Sequence, residues 1–175
     1  ILKKELGEKT FQNIHEFSEP IAAASIAQVH FAKIKNNGVE KEVAIKILRP
    51  SIQKIFNEEL DALMLLAYII ENAVKKTKRL KLIEIVYLLK EITNIEMDLR
   101  FEAAAANELY ENTKSDIGFI VPKIYWNFTT QKILTLDRIE GIPIRETEKL
   151  TKSGIDTKKI SKNLIQHFLR QAVRD

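Results

Sequence analysis

Apolar residues change their spacing several times along the chain, and each change marks an element. Leu2, Leu6, Ile14 and Phe17 predict a short helix over residues 1–17, after which Pro20 breaks the chain. Residues 26–34 are rich in β-branched types and predict a strand. Asn36-Asn37-Gly38 supplies a hairpin turn, and residues 39–48 form the returning strand. Arg49-Pro50 ends that strand, and Ser51 is placed to cap a helix. Ile52, Ile55, Phe56, Leu60, Leu63, Ala67, Ile70 and Val74 fall on one face, so residues 51–75 read as a long amphipathic helix. Leu88, Ile92, Ile95, Leu99, Ala103 and Ala106 form a second stripe and predict one continuous helix over residues 83–110. Two short strands are expected at 124–128 and 133–138, joined by Thr129-Thr130. Gly141 and Pro143 then mark a break before a last helix over 157–174.

Strand, strand, helices, strand, strand, linker, helix is neither a βαβ alternation nor an all-β pattern. It predicts an α+β arrangement, a small antiparallel sheet with helices packed on it. The 175 residues suffice for one domain with a real core, and 45% hydrophobic with 30% charged residues is ordinary globular usage. The longest apolar run, residues 62–70, is too short to cross a bilayer, and no export signal opens the chain, so this piece reads as soluble by itself. With no cysteine and three scattered histidines, disulfides, thiolate metal sites and zinc spacings are excluded. A net charge of +4 permits phosphate, nucleic acid or anionic lipid as partners. Lys75, Lys76, Lys78, Arg79 and Lys81 form the one dense basic cluster, readable as a solvated loop or as a contact with acidic headgroups. No aromatic residue is interleaved with these lysines, so nucleic acid is not an expected partner.

Four features carry candidate chemistry. Ile21-Ala22-Ala23-Ala24-Ser25-Ile26-Ala27-Gln28-Val29 enters the first strong strand; small side chains let the backbone approach a ligand, and turn N–H groups can cradle phosphate oxygens. The same run also suits a helix start or a packing point. In Val43-Ala44-Ile45-Lys46 a lysine sits in an apolar strand, where it either snorkels to water or meets an anion, as in the kinase pattern V-A-I-K. Glu96, Asp98 and Glu102 form an acidic trio, read as helix-surface acidity or as partners for a cation. With Leu88 as reference, Glu102 falls about 40° and Glu96 about 80° from the apolar stripe on opposite flanks. Glu102 is therefore expected to be the more buried and to approach Lys46, in a pair whose loss costs roughly 3–5 kcal/mol. Last, residues 134–141 leave a strand into a linker; in a two-lobed nucleotide enzyme the backbone at Asp137 and Ile139 would meet a base there, and by itself the segment is only a strand end.

Pro20 to His30, Val43 to Pro50, Glu96 to Ala104, Val121 to Trp126 and Ile139 to Pro143 resemble, in order, the signatures of the UbiB-like atypical kinase family. The resemblance implies a kinase-like fold that binds ATP and Mg2+ and supports ubiquinone (polyprenyl quinone) biosynthesis at the cytoplasmic face of a membrane. Membrane lipid or quinone intermediates and biosynthetic enzymes would be the partners of the full-length protein. It implies that Ala22 to Val29 cover the phosphates, that Lys46 contacts them, and that Glu96 and Asp98 form the family's E-x-D motif. Ala105 stands where the family usually has asparagine, and Arg138 where an aromatic residue is common.

By the same resemblance, residues 1–139 are a kinase N-lobe and 140–175 a hinge with the start of a C-lobe. The catalytic loop and metal ligands are then expected beyond Asp175, and the isolated chain is expected to be inactive. A nucleotide-gated scaffold without catalysis, and a membrane-surface or nucleic-acid-binding helical module, are the alternatives. Asp116-Ile117-Gly118 resembles a metal-binding D-F-G but precedes the strand it should follow. Gly7-Glu8-Lys9-Thr10 lacks the spacing of a P-loop.

Overall fold

The turn at Asn37-Gly38 organises the sheet. In the computed structural model, which describes residues 1–174, Asn37 and Gly38 have φ of 49° and 82°, the two positive values a type I′ hairpin requires. The turn joins β3 (Ala27–Asn36) to β4 (Val39–Leu48) in unbroken antiparallel register. The other edge of β4 pairs with β5 (Ile133–Asp137), and the far edge of β3 takes both β1 (Ile14–His15) and β2 (Pro20–Ala23). All five strands are antiparallel, and with the helices they make the fold α+β. Asp175 and the side chains of Lys75 and Lys76 lie outside the described residues.

Alternation along β4 gives the sheet two different faces. Val43, Ile45 and Ile47 join Ala32, Ile34, Ile133, Tyr125 and Phe128 in one buried cluster, covered by Leu2 and Leu6 of α1 (Leu2–Leu6). Leu48 belongs to a second cluster with Ala27, Leu134, Met97, Leu99 and Ala103. Lys46 shares this second face, two residues before Leu48.

Several elements depart from the sequence reading. The helix expected over 1–17 is divided by Gly7, at φ 76°, into α1 and α2 (Glu8–Phe11), and the chain then pairs as β1. Ser51 precedes α3 (Ile52–Ala73) but does not cap it: at φ 59° it lacks the extended backbone of a capping residue, and its side chain makes no cap bond. The helix expected over 83–110 is two, α4 (Leu82–Glu96) and α5 (Leu99–Thr113). Asp98 breaks them apart with extended φ and ψ of −119° and 96°, and its carboxylate accepts a 3.0 Å bond from Arg100 N–H. Leu99 N–H is then held by Gln131 O at 2.9 Å, which redirects α5 onto the sheet. The strand expected at 124–128 is one bridge, Ile124↔Leu136, followed by a 3-10 turn at Trp126–Phe128 that points Tyr125 and Phe128 into the first cluster. α6 (Thr147–Lys152) is an additional helix in the expected linker, and α7 (Thr157–Arg174) occupies the predicted span.

α3 and α4 run antiparallel, as the contacts Asp61–Lys90 (3.3 Å) and Glu71–Ile83 N–H (3.1 Å) require. Their seam buries Leu60, Ala67 and Val86. Leu63, Leu66 and Ile69 on α3 and Ile85, Leu88, Ile92 and Ile95 on α4 remain exposed. Leu63 and Leu66 on α3 and Ile85 and Ile92 on α4 are rotated in the same sense from their seam residues, which in an antiparallel pair brings them onto one surface; Ile69, Leu88 and Ile95 stand nearly opposite the seam.

α7 is fastened to the segment after α5. The Asp116 carboxylate, only 9% exposed, accepts Arg174 at 3.1 and 3.2 Å, with Arg170 at 3.8 Å and His167 Nδ1 at 4.0 Å. Phe119 stacks on the His167 ring. Asp116 thus faces basic side chains of α7. Those neighbours, Arg174 first, hold its carboxyl below the ordinary carboxylate range.

Candidate nucleotide site

Antiparallel register places Ala22, Val29, Lys46 and Leu134 in one row across four strands. Directly opposed residues share a face, so the alanine-rich entry and the lysine are presented together. Lys46 lies on an interior strand, and α5 passes over the same face through Leu99 and Ala103. Its Nζ donates to Glu102 Oε2 at 2.6 Å.

The surroundings of that pair differ from expectation. The side chains of Lys46 and Glu102 are 27% and 49% exposed, so Glu102 is a rim carboxylate and the buried-pair expectation is corrected. Because α4 ends at Glu96 and α5 begins anew after Asp98, Glu96 and Glu102 share no common helical phase. Asp98 is instead the buried member of the trio, at 8% exposure. Its oxygens accept from Arg100 Nε at 2.9 and 3.2 Å and from the Arg100 guanidinium terminus at 2.6 Å. Those bonds hold the Asp98 carboxyl below the usual carboxylate range despite burial, which works in the opposite direction. Glu96 ends α4 exposed, without an ion-pair partner among the described residues.

Ile21, Ala22, Ala23, Ala24 and Ser25 are exposed, Ile26, Gln28 and Val29 half-buried, and Ala27 buried. The turn is tight, with Ala24 N–H donating to Ala27 O at 2.9 Å. Arg49, read from the sequence only as a strand end, bonds this turn twice. Its N–H donates to Ile26 O at 2.8 Å and its Nε to Ala24 O at 3.2 Å. Nothing in local spacing announces that contact, because 25 residues separate its ends.

The Asp137 side chain is not gathered with the others. Asp137 pairs with Val43, which belongs to the opposite face, and its carboxylate accepts Tyr125 OH at 2.6 Å and Lys123 N–H at 3.3 Å. Burial and this carboxylate together push the Tyr125 hydroxyl well above its ordinary value. Ile139 lies exposed just beyond β5. Between them, Arg138 lays its guanidinium over the Phe31 ring at 4.3 Å and pairs with Glu42 and Glu140. Phe31 and Leu136 both oppose Ala44, so this stack borders the Lys46 face.

A lysine amine and an accessible turn of small residues share one end of the sheet, and the strand that leaves into a linker ends three ladder positions away, at Asp137 opposite Val43. Residues 1–175 match the ABC1 atypical kinase-like domain over their whole length. The chain belongs to the ABC1 atypical kinase-like family. Curated relatives named "Probable protein kinase UbiB" agree: the Marinobacter nauticus protein is 34% identical over 176 residues, covering 100% of this chain and 32% of its own length. The Azotobacter vinelandii protein is 33% identical over the same span, and that of Pseudomonas paraeruginosa 33% over 175 residues, 99% of this chain. The chain therefore spans about a third of the length of these ABC1 relatives, 32% in each case. Among the described residues no three His, Asp or Glu side chains are grouped to hold a metal, and no helix is long and apolar enough to cross a membrane.

Proposed function

We propose that residues 1–175 form the nucleotide-binding part of an ATP-dependent kinase or ATPase. Residues 1–139 would act as the N-lobe and 140–175 as the hinge and the first helices of a C-lobe. The contact between Lys46 and Glu102 carries the reading. A kinase lysine is held over nucleotide phosphates by a helix carboxylate, and here strand and helix bring the two groups to 2.6 Å beside an accessible alanine turn. Ala22 to Val29 would cover the phosphates, and the backbone of Asp137 to Ile139 would meet the base. The described carboxylates do not fit a magnesium site by themselves: Asp98 is taken by Arg100, Glu102 by Lys46, and Glu96 stands apart. Mg2+ would need ligands supplied with the nucleotide or from elsewhere in the parent protein. Support of polyprenyl-quinone biosynthesis is proposed from the resemblance to UbiB.

Titration of the full-length protein with a fluorescent ATP analogue tests the reading. Micromolar binding lost in Lys46→Ala is expected; equal affinity in the variant would reject it.

A second reading, docking on an anionic membrane, rests on the apolar surface shared by α3 and α4. Exposed Lys78, Arg79 and Lys81 at the hairpin tip would supply the complementary charge. Retention on phosphatidylglycerol vesicles that falls with salt and with Leu66→Lys is its signature. Retention unaffected by both would remove it.

A further inference from the structure

Resting on the nucleotide reading, we infer that Arg49 is a positioning residue for the bound phosphates, acting through the alanine turn. Past the β2–β3 ladder, which ends at Ala23↔Gln28, the tip of the turn has few anchors. Residues 21–25 are exposed, and Ser25 is their one polar side chain. Apolar anchoring begins at Ile26, half-buried against the second cluster, and at the buried Ala27. What fixes the turn is a set of backbone carbonyls, and Arg49 takes two of them. Its N–H binds Ile26 O and its Nε binds Ala24 O, while Ala24 N–H closes on Ala27 O.

Peptide planarity turns this into a statement about donors. In a trans peptide the C=O and the following N–H point in opposite directions. Drawing Ala24 O toward the guanidinium therefore aims Ser25 N–H away from it, and among the described residues that N–H has no partner. Arg49 thus sets the direction of a free amide in the segment where phosphate oxygens would be met. Arg49 also follows Lys46 by three residues on the same strand end. Loop and lysine are thereby referred to one rigid element, which is what a precise phosphate site needs.

Two roles are separable for this side chain: holding the turn, or attracting anionic phosphate by charge. Arg49→Gln removes charge and geometry, whereas Arg49→Lys keeps the charge but cannot reproduce the planar Nε donor. In the full-length protein, ADP and ATP affinities would be measured by fluorescent-analogue displacement. Amide exchange of peptides spanning 20–28 and 133–137 would be followed without nucleotide. Both variants are expected to weaken nucleotide binding roughly three- to tenfold, the weight of one lost hydrogen bond. Both should speed exchange in 20–28 while 133–137 stays unchanged. Full affinity in Arg49→Lys would assign the effect to charge and overturn the inference. So would unchanged affinity and exchange in Arg49→Gln, or faster exchange in both peptides alike. No binding by the unsubstituted protein would bring down the nucleotide reading and this inference with it; the other outcomes overturn the inference alone.

Discussion

Lys46 Nζ and Glu102 Oε2 stand 2.6 Å apart with the carboxylate half in solvent, and the exposure decides what the contact is worth. An exposed ion pair contributes about 0–1 kcal/mol, whereas breaking a buried one costs roughly 3–5 kcal/mol. Glu102→Gln should therefore lower the unfolding free energy by no more than about 1 kcal/mol in urea melts. Its effect should appear in nucleotide affinity instead. A loss of several kcal/mol with affinity intact would mean that the pair is structural.

Asp98 should matter more to the fold than either glutamate. It caps α5, is 8% exposed and is paired with Arg100. Removing such a cap costs about 0.5–2 kcal/mol, so Asp98→Ala should shift the denaturation midpoint clearly and Glu96→Gln hardly at all. Equal midpoints for the two variants would contradict the capping geometry.

The same carboxylate gives a pH dependence. Its pKa in the folded chain lies below the ordinary value of 3.8, because the charged form is hydrogen-bonded. Its stabilisation is thus complete above that ordinary value and is lost as pH falls through the lowered one. Asp116, depressed by Arg174, acts in the same direction. In melts between pH 7 and pH 3, Asp98→Asn should be most inferior at neutral pH and converge on the parent in acid. A constant gap across the series would exclude the linkage.

Asp116→Asn should release α7 without unfolding the sheet. Arg170, Arg174 and His167 all face that one carboxylate, and α7 buries only His167. Local opening follows from so few buried contacts. Hydrogen exchange across 157–174 is expected to accelerate while β4 keeps its protection; parallel acceleration of both would tie α7 to the global unfolding unit.

By itself, the chain of residues 1–175 should hydrolyse ATP no faster than its Lys46→Ala variant. Phosphoryl transfer needs metal ligands and a group that orients the nucleophile; among the described residues Asp98 and Glu102 are engaged by Arg100 and Lys46, and no three acidic or histidine side chains are grouped to hold a metal. Lys46-dependent phosphate release in a coupled assay would overturn this.

Where local chemistry was strong, the sequence was legible. An Asn-Gly pair between alternating runs specified β4 to the residue and β3 to within two positions, and a long apolar period specified α3 and α7. Three features escaped for physical reasons. The apolar period continues across Met97 and Asp98, so the break between α4 and α5 left no gap in the pattern; the one available signal was an aspartate of capping type. β1 and β2 are short, and their residues are half-buried or exposed, so backbone pairing rather than burial defines them. The Arg49 contact spans 25 residues and is made to carbonyls, which carry no residue identity. Lys46 was legible because a lysine in an apolar strand is conspicuous. The exposure of Glu102 was not, because it depends on where α5 begins.

The hairpin turn also governs chemistry some twenty-five ångströms along the ladder, at about 3.4 Å per residue. Side chains on a strand alternate, so slipping β4 by a single position against β3 would exchange the two faces wholesale. Lys46 would be driven among Ala32, Ile34 and Ile133, and Ile45 would face the alanine turn. The left-handed backbone of Asn37 and Gly38 thus acts as the clock of the site: two residues that would touch no ligand decide which side of the sheet receives the amine.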